Sequence, residues 1–277
     1  MRAIRIETHG DAGVLKLTDS APKPAPAKGQ VLVKIYAAGV NFVDIYHRRG
    51  YYQATLPFIP GLEASGVVVE VAKGAAGVRA GDRVAYTGHL GSYSEYTAIN
   101  ADRLIKLPKD LSFEQGAAIP LQGMTAHYLI HAFRKPEKGD TVLVHAAAGG
   151  VGLLLVQWAK HLGAKVIGTV STEEKAAAAR KAGAHQVILY TKQDFVAEVK
   201  RLTKGRGADI IFDGVGKATF AGNIEAEAVH GHIVLFGAAS GAVDPFVPNT
   251  LMPRALTVSG GTLQHFTGTQ EDLLRRS

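Results

Sequence analysis

Hydrophobic and polar positions along the 277 residues fall into two textures. Up to about residue 120, short β-branched or alternating runs are bounded by Gly, Pro or Asp. They predict strands over residues 4–8, 31–36, 66–71, 83–86, 92–99 and 103–106, with a helix inserted over 40–49. Residues 21–26, reading Ala-Pro-Lys-Pro-Ala-Pro, make a stiff connector. This half reads as an irregular, mostly antiparallel β domain. From about residue 122 the pattern changes. Apolar runs at 141–145, 165–170, 186–189, 209–213, 232–236 and 256–259 alternate with helical patterns at 151–162, 173–182, 195–203 and 218–229. Strands apolar on both faces and separated by helices predict a parallel sheet covered on both sides. Six of them suit a doubly wound, nucleotide-binding domain, so the fold class is α/β.

The sharpest local signal follows the first of these strands. Residues 141–152 run from an apolar strand into Ala146-Ala147-Ala148-Gly149-Gly150-Val151-Gly152, and a helix starts at once. The pattern Ala147-x-Gly149-x-x-Gly152 is a variant of the dinucleotide fingerprint. Small residues let the backbone approach a pyrophosphate, and the last glycine lets helix and strand pack closely. The helix N-terminus adds N–H donors and partial positive charge. The bland alternative is a tight turn that binds nothing.

The end of the second strand selects the cofactor. An acidic residue there bonds the ribose hydroxyl of NAD. Here the position is Ser171, and Ser171-x-x-Glu174 has the form of a capping box opening the next helix. Lys175, on that helix's first turns, can reach a 2′-phosphate that a carboxylate would repel. The residues favour NADP(H). The competing reading makes Ser171 only a cap and Lys175 only a solvated lysine.

Composition narrows the picture. Cysteine is absent, which removes disulfide scaffolds and every thiolate-held zinc or iron–sulfur site, and fits a reducing compartment. Eleven histidines leave a His–carboxylate site open by count. The N-terminus has no apolar core behind its positive charges, so it is not a signal peptide. The longest apolar stretch, near residues 151–159, falls short of the ~20 residues a membrane span needs. A soluble, cytoplasmic protein is expected. The net charge of +7 favours anionic ligands without pointing to nucleic acid.

Taken together, these segments resemble the medium-chain dehydrogenase/reductases, and within them the zinc-independent quinone oxidoreductase (ζ-crystallin-like) branch. The phosphate turn, Gln157-Trp158-Ala159-Lys160 and Leu162-Gly163-Ala164 carry the likeness. So do Gly39-Val40-Asn41-Phe42-Val43-Asp44, Pro60-Gly61-Leu62-Glu63-Ala64-Ser65-Gly66, Gly81-Asp82-Arg83-Val84, Gln122-Gly123-Met124-Thr125-Ala126 and Phe212-Asp213-Gly214-Val215-Gly216. The resemblance runs in order along essentially the whole chain. It implies a GroES-like catalytic domain over residues 1–121 and a Rossmann NADPH-binding domain over 122–262, with the active site in the cleft between them. It also implies a homodimer and the reduction of quinones or other conjugated carbonyls. By the same resemblance Asn41 lies near the nicotinamide, Tyr46 and Tyr52 near the substrate, and Gln122 and Thr125 at the cofactor. Ser171, Lys175 and Tyr190 form the 2′-phosphate site. Ala147, Gly149, Gly150, Val151 and Gly152 hold the pyrophosphate. Gly214, Val215, Phe236, Gly237 and Ser240 follow strands at their carboxyl ends, where ligands of open α/β sheets bind.

Zinc-dependent members of that superfamily hold their metal with Cys and His. Here the corresponding positions read Asn41 and Leu62, so a catalytic zinc is not expected. Glu63 is left behind as a paired, structural carboxylate. Without a Lewis acid the acceptor must already be electrophilic, which quinones and α,β-unsaturated carbonyls are. Asn41 and Tyr46 are the candidates for donating to the developing oxyanion. Two rivals stay open: a 2-alkenal or enone reductase, and an NADPH-binding, crystallin-like protein with little turnover.

His127 and His131 stand i,i+4 on a helix expected over 125–133, but with no acidic third ligand beside them. His47-Arg48-Arg49 reads as a solvated helix end. The resembled family runs on for several tens of residues, so residues 263–277 are expected to begin a return to the first domain and stop within a helix that Thr269-x-x-Asp272 opens. That predicts a complete cofactor domain and a first domain lacking its last part, with exposed edge or core surface.

Overall fold

A computed structural model describes residues 1–277, which divide into two compact units. The first contains Met1–Met124 and Phe266–Ser277, the second Thr125–His265.

In chain order the first unit holds β1 (Ala3–Arg5), β2 (Lys16–Thr18), β3 (Gln30–Ala38), α1 (Phe42–Arg49), β4 (Glu63–Val71), β5 (Arg83–Thr87), β6 (Tyr96–Asn100), β7 (Ile105–Lys106) and α2 (Phe113–Ala118). Helix α3 (Pro120–His131) follows. β1 and β2 form a small antiparallel pair, and the other strands form a five-stranded antiparallel sheet in the order β6-β3-β4-β5-β7. Its core is the row that period-two alternation turns inward: Val31, Val33, Ala64, Val68, Val84, Tyr86 and Ile99, all fully buried. The strand expected over 92–99 begins only at Tyr96. Residues 92 and 93 instead bond the chain at Gly61 and Pro60, and Tyr93 O accepts from Ile4 N–H. The helix expected from residue 40 starts at Phe42, because Asn41 is extended (φ −129°, ψ 152°). The residue pattern predicts no helix at α2. Ser112 caps it, accepting from Gln115 N–H while Gln115 bonds back to Ser112 N–H.

The second unit contains β8 (Thr141–Val144), α4 (Gly150–His161), β9 (Lys165–Val170), α5 (Glu173–Ala182), β10 (Gln186–Leu189), α6 (Phe195–Leu202), β11 (Ala208–Asp213), α7 (Phe220–Ala226), β12 (Glu227–Leu235) and β13 (Thr257–Gly260). All six strands are parallel, in the order β10-β9-β8-β11-β12-β13. Chain order reverses between β8 and β11, the switch point at which open α/β sheets bind ligands. The central strand β8 is buried along its whole length and β9 and β11 nearly so, whereas the edge strand β13 has no buried residue. The helix expected over 218–229 is shorter, because Glu227 already pairs with Ala208 and belongs to β12. The helix expected over 125–133 is the C-terminal half of α3 with its end drawn back to His131.

After β13 come α8 (Leu263–Phe266) and α9 (Gln270–Arg276). Thr269 caps α9 by accepting from Asp272 N–H, as the sequence pattern requires. The segment is tied into the first unit by Arg103, whose guanidinium donates to Thr267 O at 2.7 Å, and by fully buried Leu273.

One residue of the second unit stands out energetically. Glu227 is fully buried and neither carboxylate oxygen has a hydrogen-bond partner. Burial pushes its pKa from 4.5 up to about 9; Asp209 reinforces the shift, and Arg134, Arg254 and Lys200 oppose it. The folded state therefore holds a proton that the unfolded chain releases above pH 4.5. Stability attached to this group is present at low pH and falls by about 1.4 kcal/mol per pH unit until the folded group also ionises. Glu227→Gln is expected to raise the urea midpoint at pH 8 and to flatten its decline between pH 6 and 9. An unchanged slope would place the proton elsewhere.

Candidate functional site

In the second unit, the chain leaving β8 turns through Ala146, which takes a left-handed conformation (φ 49°), an unusual cost for a residue with a side chain. Ala146 O accepts from Gly149 N–H at 2.8 Å and so tightens the turn. Ala147 and Gly152 are buried, whereas Gly149 and Gly150 face outward at the start of α4. A Cβ at Gly152 would lie 2.3 Å from Ala146 O and 3.0 Å from Ala147 Cα, both backbone atoms. Only glycine allows this approach. Helix α4 therefore begins directly against the turn, its first N–H groups exposed beside residues without bulk. These features fit the pyrophosphate of a dinucleotide.

At the ends of β9 and β10, three predicted residues come together. Lys175 Nζ donates to Ser171 Oγ at 3.1 Å. Tyr190, half exposed, follows β10 and donates its backbone N–H to Val170 O, while Thr191 Oγ1 donates to Ser171 O. The cap of α5 is not Ser171 but Thr172, whose hydroxyl accepts from Lys175 N–H. The reason is register: Thr172 is the last extended residue (φ −138°) before the helix. With Thr172 as the cap, the Ser171 hydroxyl takes no part in capping and pairs with an ammonium, a combination suited to a phosphate monoester.

The loop after β11 is fixed by a buried network that the sequence did not announce. Asp213 is fully buried. Its Oδ1 accepts from Val215 and Gly216 N–H, and its Oδ2 from Thr219 Oγ1 and Asn223 Nδ2, all within 3.1 Å. Asn223 Oδ1 in turn faces His145 Nε2 at 2.7 Å, and His145 Nδ1 faces Thr169 Oγ1 at 2.9 Å. With Asn223 oriented by Asp213, His145 must donate from Nε2 and, as a neutral ring, accept at Nδ1. Burial holds its pKa down, against Asp213 and Asn223. The network thus joins the residues flanking the phosphate turn to the loop carrying Gly214 and Val215. Phe236 and Gly237 pack on that loop: a Cβ at Gly214 would meet the Phe236 ring at 2.8 Å, and one at Gly237 would meet Gly214 O at 2.7 Å. Ser240 is committed to the same structure, donating to Val215 O and accepting from Ala218 N–H. Thr125, on α3, is buried. His127 and His131 pack against Trp158, ring centroids 5.6 and 5.2 Å away.

In the first unit, Asn41 is buried ahead of α1. Its Nδ2 donates to Glu63 Oε2 at 2.7 Å and its Oδ1 accepts from Gln122 Nε2 at 3.3 Å. Glu63 Oε1 accepts from Leu121 N–H, in the first turn of α3, at 2.6 Å. Burial pushes Glu63 up to about 7, against the Leu121 and Asn41 hydrogen bonds; nearby Asp44 adds to the rise. A recess of about 260 Å³ opens here, lined by residues that include Gly39, Val40, Glu63, Glu114 and Gln122. Tyr46 and Tyr52 pack together with ring centroids 5.2 Å apart, Tyr52 edge-on to His47 and Tyr46 edge-on to Phe42. Asp44 accepts from Asn41 N–H and from the Tyr93 hydroxyl, and burial raises its pKa. The residues at the superfamily's zinc positions do not fit a metal. Leu62 has no ligand atom, Asn41 Oδ1 is bonded to Gln122, and both Glu63 oxygens are bonded to Asn41 or to Leu121 N–H.

Residues 27–109 match the alcohol dehydrogenase GroES-like domain family, and residues 150–276 the zinc-binding dehydrogenase family. Quinone oxidoreductase 1 of Escherichia coli K12 is 41% identical, covering 99% of this chain and 85% of the relative. The 2-haloacrylate reductase of a Burkholderia species is 42% identical over 90% of this chain and 78% of its own. Among solved structures, E. coli quinone oxidoreductase complexed with NADPH superposes with a TM-score of 0.95 at 40% identity, covering all of this chain and 85% of that one. A quinone oxidoreductase from Pseudomonas syringae gives 0.95 at 41% identity, covering 99% and 85%. With folded units of both matched kinds and such likeness along its length, the chain belongs to the quinone oxidoreductase family of medium-chain dehydrogenase/reductases.

Proposed function

We propose that this chain is an NADPH:quinone oxidoreductase. The observation that carries the reading is the Lys175–Ser171 pair at the end of β9, a cation and a hydroxyl where an NAD enzyme places a carboxylate. When bound, NADPH supplies the hydride. The exposed N–H groups at the start of α4 bind the pyrophosphate, and Ser171, Lys175 and Tyr190 the 2′-phosphate. The Asp213 network holds Gly214 and Val215 against the nicotinamide end. Gln122 and Thr125 bound the cofactor, and Tyr46 and Tyr52 shape the acceptor's place. Asn41 gives one amide N–H to Glu63 and keeps a second for the developing oxyanion. A conjugated acceptor delocalises the incoming charge, so alignment and one or two donors suffice. The likeness to 2-haloacrylate reductase favours a second acceptor class, an activated alkene. We extend the reading to a homodimer, which the open edge at β13 and the exposed Val247 and Met252 support, in the reducing cytoplasm, which a chain without cysteine suits.

The test is consumption of NADPH with a simple quinone, with NADH as control and an alkenone in parallel. Turnover with NADPH is expected to exceed that with NADH by on the order of tenfold or more, the worth of a charge-assisted phosphate contact. No turnover above a heat-killed blank would remove the enzymatic reading. Equal rates with NADH would remove the role of Ser171 and Lys175.

A further inference from the structure

We propose that Glu63 is a positioning residue for the reaction, setting the orientation of the Asn41 and Gln122 amides by closing a ring of hydrogen bonds. The proposal rests on the reading of Asn41 as a residue at the reacting groups.

The ring is complete. Glu63 Oε1 accepts from Leu121 N–H and Oε2 from Asn41 Nδ2, Asn41 Oδ1 accepts from Gln122 Nε2, and Gln122 follows Leu121 on α3. A carboxylate offers acceptors only, so both groups facing it must be donors. That requirement turns Asn41 Nδ2 toward Glu63 and its oxygen toward Gln122. It also leaves Gln122 Oε1 and the second Asn41 N–H outside the ring. An isolated amide flips at little cost; here a flip of Asn41 would set its oxygen against the carboxylate. The carboxylate's place is kept by Gly39, where a Cβ would lie 2.2 Å from Oε2. Glu63 and Gln122 both line the recess, so the ring stands at the wall of an open space.

Protonation would break the logic, since one acceptor becomes a donor. The ionisable groups facing Glu63 are Asp44 on α1, Tyr93 bonded to Asp44, His47 beside Asp44, and Glu114 on α2 at the recess. Burial holds Glu63 near 7.

Glu63→Gln keeps the shape but offers one acceptor, so one of the two donors meets an NH2 group. In the full chain with NADPH and a simple quinone, E63Q is expected to lower kcat at pH 8 by about tenfold, with KM for NADPH changed less than about threefold. The wild-type limb of kcat near pH 7 should disappear. Because Glu63 acts through Asn41, Asn41→Ala and the double variant should turn over at the same rate within about twofold. The melting temperature of E63Q at pH 8 should equal or exceed that of the wild type, since a buried charge is gone. Should E63Q fail to fold, Gln122→Leu opens the ring at its other amide and should show the same non-additivity. Wild-type kcat with the limb intact in E63Q, or losses that multiply with Asn41→Ala, would overturn the proposal while leaving the Asn41 reading standing. Full turnover by Asn41→Ala alone would remove both.

Discussion

Gly152→Val is expected to reduce NADPH affinity by on the order of a hundredfold while leaving the parallel sheet folded. Its side chain would collide with Ala146 O and Ala147 Cα, and neither can rotate away as a flexible side chain could. The start of α4 must then move off the turn, taking the N–H groups with it. Ala146 is already left-handed and Ala147 fully buried, so the turn has little room to yield. Gly149→Ala is the graded control: its Cβ would meet Ala146 O at 3.2 Å, a contact relieved by a shift of a few tenths of an ångström. Fluorescence titration of NADPH, with far-ultraviolet circular dichroism to confirm folding, reads both. Wild-type affinity in Gly152→Val would show that the turn does not cradle the cofactor.

Ser171→Asp is expected to reverse the choice of cofactor. The new carboxylate would stand where the Ser171 hydroxyl now meets Lys175 Nζ, 3.1 Å away, and would pair with that ammonium. A 2′-phosphate would then lose its cation and face a like charge, whereas a 2′-hydroxyl would gain an acceptor. A charged hydrogen bond is worth about 1.5–3 kcal/mol, so the NADPH/NADH ratio of kcat/KM should fall by on the order of ten- to a hundredfold. The cap of α5 is Thr172, so the substitution leaves the helix start intact. A ratio that stays put would mean the phosphate is held elsewhere.

What the sequence disclosed follows from what writes itself into local pattern. The six parallel strands were legible because each carries a short apolar or β-branched run bounded by turn residues. The phosphate turn was legible because glycine and alanine occupy positions where bulk is forbidden. α2 escaped because six residues including Gly116 carry no helical period. The Ser171 cap was misplaced by one residue, since Ser171 and Thr172 offer the same hydroxyl and only backbone register separates them. The His145–Asn223–Asp213 network and the Glu63 ring escaped for another reason. Their ties span 22 residues between Asn41 and Glu63, 78 between His145 and Asn223 and 81 between Asn41 and Gln122, and each member looks like an ordinary polar residue until the fold unites them. The resemblance supplied Asn41 and Gln122 as site residues and left Glu63 as a paired carboxylate, but not the bonds that join the three.

The Arg103–Thr267 tie has a consequence for the order of assembly. The second unit is one uninterrupted stretch of chain, Thr125–His265, whose strands pair through short crossovers. On the ribosome it can fold as soon as that stretch has emerged. The first unit is begun earlier but takes in Phe266–Ser277, so it waits with Leu273 absent from its place until synthesis has passed the whole of its neighbour. The unit whose translation begins first thereby gains Phe266–Ser277 only after the other has been made.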